Sequence, residues 1–172
     1  MSSTESKVIL AGADSWQSNG LVCYRTGSST NTFVHLIRLT DGNVEKVFSK
    51  PTSRTVKPPI CLSTCVVLID SSGTITKLDL NGKTVFEGNV SGIEGAVAQT
   101  GRLDDKEIYL VEVLRDNKNT RWVHSLTILD LSAIEPVVRE RHDIIQPHKV
   151  TTTSEEVIVI GHKDVQRIKI SK

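Results

Sequence analysis

The side chains of this chain that could do chemistry are five histidines, three cysteines and two pairs of adjacent acids. His142, His148 and an Asp are the one combination near enough in sequence to weigh as metal ligands. A zinc site, however, needs three or four donors at set spacings. His142, His148 and His162 are better placed as turn and loop residues on a solvated rim. His35 and His124 fall mid-strand at comparable places in a repeat. Cys61 and Cys65 form a C-x3-C spacing inside an apolar run, with no later Cys or His pair, and read as buried free thiols. Cys23 adjoins Tyr24 and has no basic neighbour to activate it. Asp104-Asp105 and Glu155-Glu156 stand at strand starts. Neighbours on a strand point to opposite faces, so neither pair makes a carboxylate dyad. No Gly-x-Ser-x-Gly elbow, Gly-x-Gly-x-x-Gly loop or Walker sequence occurs. The expectation is no catalytic residue, no metal and no cofactor.

Two polar segments are candidates for interaction instead. Lys50-Pro-Thr-Ser-Arg-Thr-Val-Lys-Pro-Pro59 is basic and stiffened by proline, and offers Lys50, Arg54 and Lys57. The segment 115–121 reads as a hairpin tip carrying Arg115, Lys118 and Arg121 against Asp116. The whole chain is almost neutral, with 21 basic and 20 acidic residues and a formal charge of +1. That balance supplies no general attraction to nucleic acid or to an anionic membrane, and neither is expected as a partner. The polar start Met1-Ser-Ser-Thr-Glu-Ser-Lys7 has no apolar core of a signal peptide, so an intracellular setting, cytoplasmic or nuclear, is expected.

The elements that must hold these residues are strands. No window keeps apolar positions at helical spacing, whereas short runs of Val, Ile, Leu and Thr alternate with Gly, Asn, Asp, Ser or Pro. Strands are expected at 7–11, 20–25, 32–39, 44–48, 60–63, 65–70, 74–80, 84–87, 96–99, 107–114, 122–130, 137–140, 149–152, 157–160 and 165–170. The joints include Asp41-Gly42-Asn43, Ser71-Ser72-Gly73 and Asn81-Gly82, the last a strong hairpin signal. Without long crossovers the sheets must be antiparallel.

One stretch recurs. Ile37-Arg-Leu-Thr40, Lys77-Leu-Asp-Leu80, Ile128-Leu-Asp-Leu131 and Arg167-Ile-Lys-Ile170 each close a strand ahead of a turn. They divide the chain into a tail, 1–6, and one β domain, 7–172. The domain holds units of about 7–50, 51–90, 91–141 and 142–172, the last lacking its outer strand. The second unit, Cys65 through Glu87, resembles a blade of the β-propeller repeat proteins of the WD40 or quinoprotein kind. There is no Trp-Asp dipeptide, Gly-His signature or quinoprotein docking tryptophan, so the resemblance implies a fold and no functional residue. It implies an all-β partial propeller of about four four-stranded blades. A small barrel or sandwich is the alternative. The expected role is a non-enzymatic scaffold or protein-interaction domain, part of a larger propeller or of a multi-subunit assembly, meeting a protein partner or itself through edge strands. The alternative role is an enzyme or small-ligand propeller completed by another chain or segment.

Overall fold

A computed structural model describes residues 15–18, 20–27, 32–52, 56–116, 121–153 and 155–171. Among them every regular element is a strand. Four antiparallel sheets follow one another along the chain. Blade 1 holds β1 (Ser15–Ser18), β2 (Leu21–Gly27), β3 (Thr32–Thr40) and β4 (Asn43–Thr52). Blade 2 holds β5 (Ile60–Cys61), β6 (Cys65–Ile69), β7 (Thr74–Asp79) and β8 (Thr84–Asn89). Blade 3 holds β9 (Ala96–Arg102), β10 (Glu107–Asp116), β11 (Arg121–Asp130) and β12 (Val137–Ile144). Blade 4 holds β13 (Lys149–Thr152), β14 (Glu156–Ile160) and β15 (Val165–Lys169). In every blade the strands pair in chain order.

Three departures from the sequence reading matter. Ser15–Ser18 is a strand, which its polar composition does not announce. Its pairing with β2, Ser15 opposite Tyr24 through Ser18 opposite Leu21, makes it one. β4 runs on to Thr52, so Lys50 and Pro51 belong to an outer strand rather than to a loop. A proline is tolerated there because its missing N–H costs no ladder bond on an open edge. β12 runs to Ile144, which puts His142 mid-strand and half-buried instead of on a solvated turn. The strand expected at 7–11 and the tail at 1–6 lie outside the described residues.

Alternation along the strands makes the stack. Leu21, Cys23, Val34 and Leu36 of blade 1 pack on Cys61, Val66, Leu68 and Leu78 of blade 2. The other face of blade 2, with Cys65, Val67, Ile69 and Ile75, packs on Val97, Ile108, Leu110 and Leu129 of blade 3. The far face of blade 3, with Tyr109, Val111 and Leu126, meets Val157, Val159 and Ile168 of blade 4. Three separate cores thus join four sheets in series. All five residues of β6 are buried, because its odd and even positions serve two different cores.

The recurring Leu-Asp has a physical role. Asp79 Oδ1 accepts the N–H groups of Asn81 and Lys83, each at 2.9 Å, and Asp130 Oδ1 accepts that of Ser132 at 2.7 Å. The carboxylate closes the turn into the outer strand. Blade 1 has Leu39 at that place and turns through Asp41 and Gly42 instead, both at positive φ (47° and 81°). Two successive left-handed residues are the type I′ hairpin geometry.

Candidate functional site

The third blade carries the longest hairpin. β10 and β11 have 10 residues each, or about 33 Å of strand. β14 and β15 of blade 4 have 5 each, about half that length. Tyr109, Val111 and Leu126 are covered by blade 4. The same strand faces continue past it through Val113 opposite His124 and Arg115 opposite Trp122. The hairpin therefore projects as a ledge.

A cleft of about 720 Å³ opens on this ledge. Arg115, Asp116, Trp122, Val123 and His124 line it from the hairpin, and Asp143, Ile144 and Gln146 from the end of β12 and the chain beyond it. Trp122 is 66% exposed and Val123 44%, the first an unusual exposure for so large an apolar side chain. Burial holds the His124 imidazole below its ordinary pKa, which favours the neutral ring. Blade 4 fastens the wall of the cleft by one side chain. Gln166 Oε1 accepts the Ile145 N–H at 3.0 Å, and its Nε2 donates to the Asp143 carbonyl at 3.1 Å.

A second cleft, of about 470 Å³, lies between blades 2 and 3 and is lined by Lys77, Asp79, Asp105, Lys106 and Ile134, among others. Lys77 is buried, and its ammonium donates to the carbonyls of Leu131 (2.7 Å) and Ala133 (2.6 Å). It is a tie between blades. Glu112, fully buried, does similar work on the same junction. Its Oε2 accepts the N–H groups of Glu94 (2.8 Å) and Gly95 (2.9 Å), and its Oε1 accepts the Thr127 hydroxyl.

The residues singled out from the sequence separate into groups. Lys50 donates to Thr84 Oγ1 at 2.5 Å and to the Gly82 carbonyl at 3.5 Å, so it spans blades 1 and 2. Lys57 is half-buried, and its N–H donates to the Ile69 carbonyl at 2.7 Å. Arg115 and Arg121 are exposed at the far end of the blade 3 hairpin, and Arg115 lines the large cleft. Arg54 and Lys118 lie outside the described residues. His142 pairs with Glu140 at 3.0 Å, whereas His148 and His162 lie together, ring centroids 5.4 Å apart. Among the described residues no three His, Cys, Asp or Glu side chains converge as a metal-binding group. Asp104 caps a turn by accepting the N–H groups of Lys106 and Glu107, and Asp105 pairs with Arg102. Cys23, Cys61 and Cys65 are buried thiols outside any disulfide.

Sequence reasoning found Arg115 and missed Trp122, Val123, His124 and Gln146. The signal was the adjacency of Trp122 and Val123 just beyond a charged hairpin tip. Its significance depends on how short a strand forty residues later turns out to be.

No sequence family and no curated protein matches the chain. Solved structures do. BamB from Moraxella catarrhalis is similar over 90% of this chain and 45% of its own, at 15% identity and a TM-score of 0.57. The computationally designed Ika4 protein is similar over 91% of this chain and 89% of its own, at 14% identity and a TM-score of 0.57. The β-propeller domain of the Trilobed protease from Pyrococcus furiosus is similar over 93% of this chain and 56% of its own, at 11% identity and a TM-score of 0.54. The chain thus spans about half the length of the Moraxella and Pyrococcus structures, and at such identities the likeness concerns architecture alone. Blades stacked in series through three cores, with strands paired in chain order, make the fold a partial β-propeller.

Proposed function

We propose that the chain is a non-enzymatic protein-interaction domain that receives its partner on the ledge of blade 3. The observation that carries this reading is Trp122, two-thirds exposed beside Val123 on a hairpin that blade 4 leaves uncovered. Trp122 and Val123 line the same cleft, and apolar side chains exposed together and rimmed by polar ones suit a partner's docking. Trp and Arg are the side chains that most often dominate interface energies, and here Arg115 stands opposite Trp122 across the strand pair. The charges and carboxamide around the cleft, Asp116, Asp143 and Gln146, are suited to a polar rim. On this reading the propeller is a scaffold within a larger intracellular assembly.

The test is direct. Peptides selected from a random library against the full chain are titrated against Trp122→Ala and Arg115→Glu. Loss of a tightly packed aromatic anchor weakens binding by tenfold or more, on the order of 2 kcal/mol. Peptides that bind both variants as tightly as the parent chain would place the docking surface elsewhere.

A further inference from the structure

The joint between blades 1 and 2 holds two thiols against each other. Cys23 lies in the middle of β2, paired with Trp16 on β1 and with Leu36 on β3. Cys61 closes β5 and pairs with Val66 on β6. Both are fully buried and belong to one core. Two side chains on one face of β2 fix its approach to blade 2. Cys23 Sγ donates to the Pro59 carbonyl at 3.3 Å, and the Arg25 guanidinium donates to the Val56 carbonyl. Two residues beyond Pro59, the Cys61 thiol lies within hydrogen-bonding reach of the Cys23 thiol.

Cys65 is the nearer cysteine to Cys61 in sequence, yet its side chain packs in the other core, between blades 2 and 3. In an unfolded chain the short loop would favour a Cys61–Cys65 link, because it costs least entropy to close. The fold selects Cys23 instead. The surroundings of the two thiols differ as well. Contact with Cys23 holds the Cys61 thiol below its ordinary pKa; burial works against this, and the Arg102 charge assists it. Burial pushes the Cys65 thiol up. A thiol with more thiolate character is the one a peroxide oxidises first.

We propose that Cys23 and Cys61 are a redox pair, which a hydroperoxide closes into a disulfide joining blades 1 and 2. Both sulfurs are sealed, so the oxidant enters during a brief parting of the joint. The Cys61 thiolate attacks one peroxide oxygen. The O–O bond breaks, an S–O bond forms, and the departing hydroxide takes up a proton and leaves as water. Reclosure sets the Cys23 sulfur against the sulfenic acid on Cys61. An S–S bond then forms, the S–O bond breaks, and the hydroxyl leaves with the Cys23 proton as a second water. Two thiols are oxidised and one hydrogen peroxide is reduced. The bond makes the first joint covalent and leaves the other two as they were. It involves no residue of the Trp122 ledge, and either proposal can fail without the other.

The full chain is treated with hydrogen peroxide under native conditions, quenched and denatured, and its thiols are titrated. The titre is expected to fall from three thiols to one, and dithiothreitol to restore all three. Peptide mapping joins Cys23 to Cys61, with the loss of two hydrogens. Urea unfolding of the oxidised chain shifts to a higher midpoint. Cys65→Ser keeps both the link and the shift, and Cys23→Ser abolishes both. Should the Cys23 variant fail to fold, mapping of the parent chain decides by itself. A titre that stays at three overturns the proposal. So does a link that uses Cys65 or joins two chains, or a sulfinic acid on Cys61 with Cys23 untouched. A Cys23–Cys61 bond that lowers the urea midpoint overturns it equally, since the native joint would then have to distort to form it.

Discussion

β6 and β14 are nearly the same kind of strand, five residues of mostly branched apolar side chains, yet they live in different surroundings. In Cys65-Val-Val-Leu-Ile69 every position is buried. In Glu156-Val-Ile-Val-Ile160 only Val157 and Val159 are, and Ile158 and Ile160 remain half-exposed. Composition does not separate them. Place in the stack does: blade 2 has a neighbour on each face, while among the described residues blade 4 packs a core on one face only. Stability in such an array is a sum of within-blade and between-blade contributions, so a blade joined at one face is held less firmly than one joined at two.

The sharpest break of that contrast is a pair of matched truncations. Ile75→Ala empties a site sealed between blades 2 and 3 and is expected to cost about 4 kcal/mol. Ile168→Ala, at the margin of the last core, is expected to cost about 2 kcal/mol, because its surroundings can relax into the space. Urea unfolding of the two variants measures the gap, and equal losses would mean that the end blade is as firmly held as the inner one.

Next in size is Glu112→Ala. It strands the N–H groups of Glu94 and Gly95 and the Thr127 hydroxyl at the junction of blades 2 and 3, at an expected cost of about 3 kcal/mol. Lys77→Met keeps the volume and removes only the donor to the Leu131 and Ala133 carbonyls. A loss of about 1 kcal/mol is expected, since the adjoining cleft lets water replace the ammonium. Exchange of amides in the unperturbed chain gives the contrast without mutation: β14 amides should exchange about tenfold faster than those of β6.

The smallest expected effect is on pH dependence. His35 is held below its ordinary pKa by burial, and then by the Lys46 charge. The unfolded chain therefore takes up a proton near pH 6.5 while the folded chain resists it. This contribution is complete above that pH, declines as the solution is acidified through it, and levels off below the folded pKa. His35→Phe should flatten that part of the stability profile, and a profile unchanged between pH 7 and 5.5 would show that the ring's surroundings exert no such hold.

Much of the architecture was legible because blade formation is local. Alternating runs, Asn81-Gly82 and the Leu-Asp repeat each act within a hairpin, so their physics is written in consecutive residues. Ser15–Ser18 was not legible, because one apolar residue among three polar ones carries no period, and only the edge offered by β2 makes it a strand. The roles of Lys50 and Lys77 were hidden for a related reason. A lysine reads as a solvated charge until a carbonyl or hydroxyl from the next blade comes within reach. The ledge was hidden most deeply, since it is a difference in length between strands of two separate units.

The three cysteines have a practical consequence. Cys23 and Cys61 are sealed in the junction of blades 1 and 2, and Cys65 in that of blades 2 and 3, while the junction with blade 4 contains none. A thiol reagent is therefore a clock for the first two joints and blind to the third. Were the last blade to swing away by itself, every sulfur would stay silent. Modification would begin only when the inner blades part, and which cysteine reacts first would name the joint that opened.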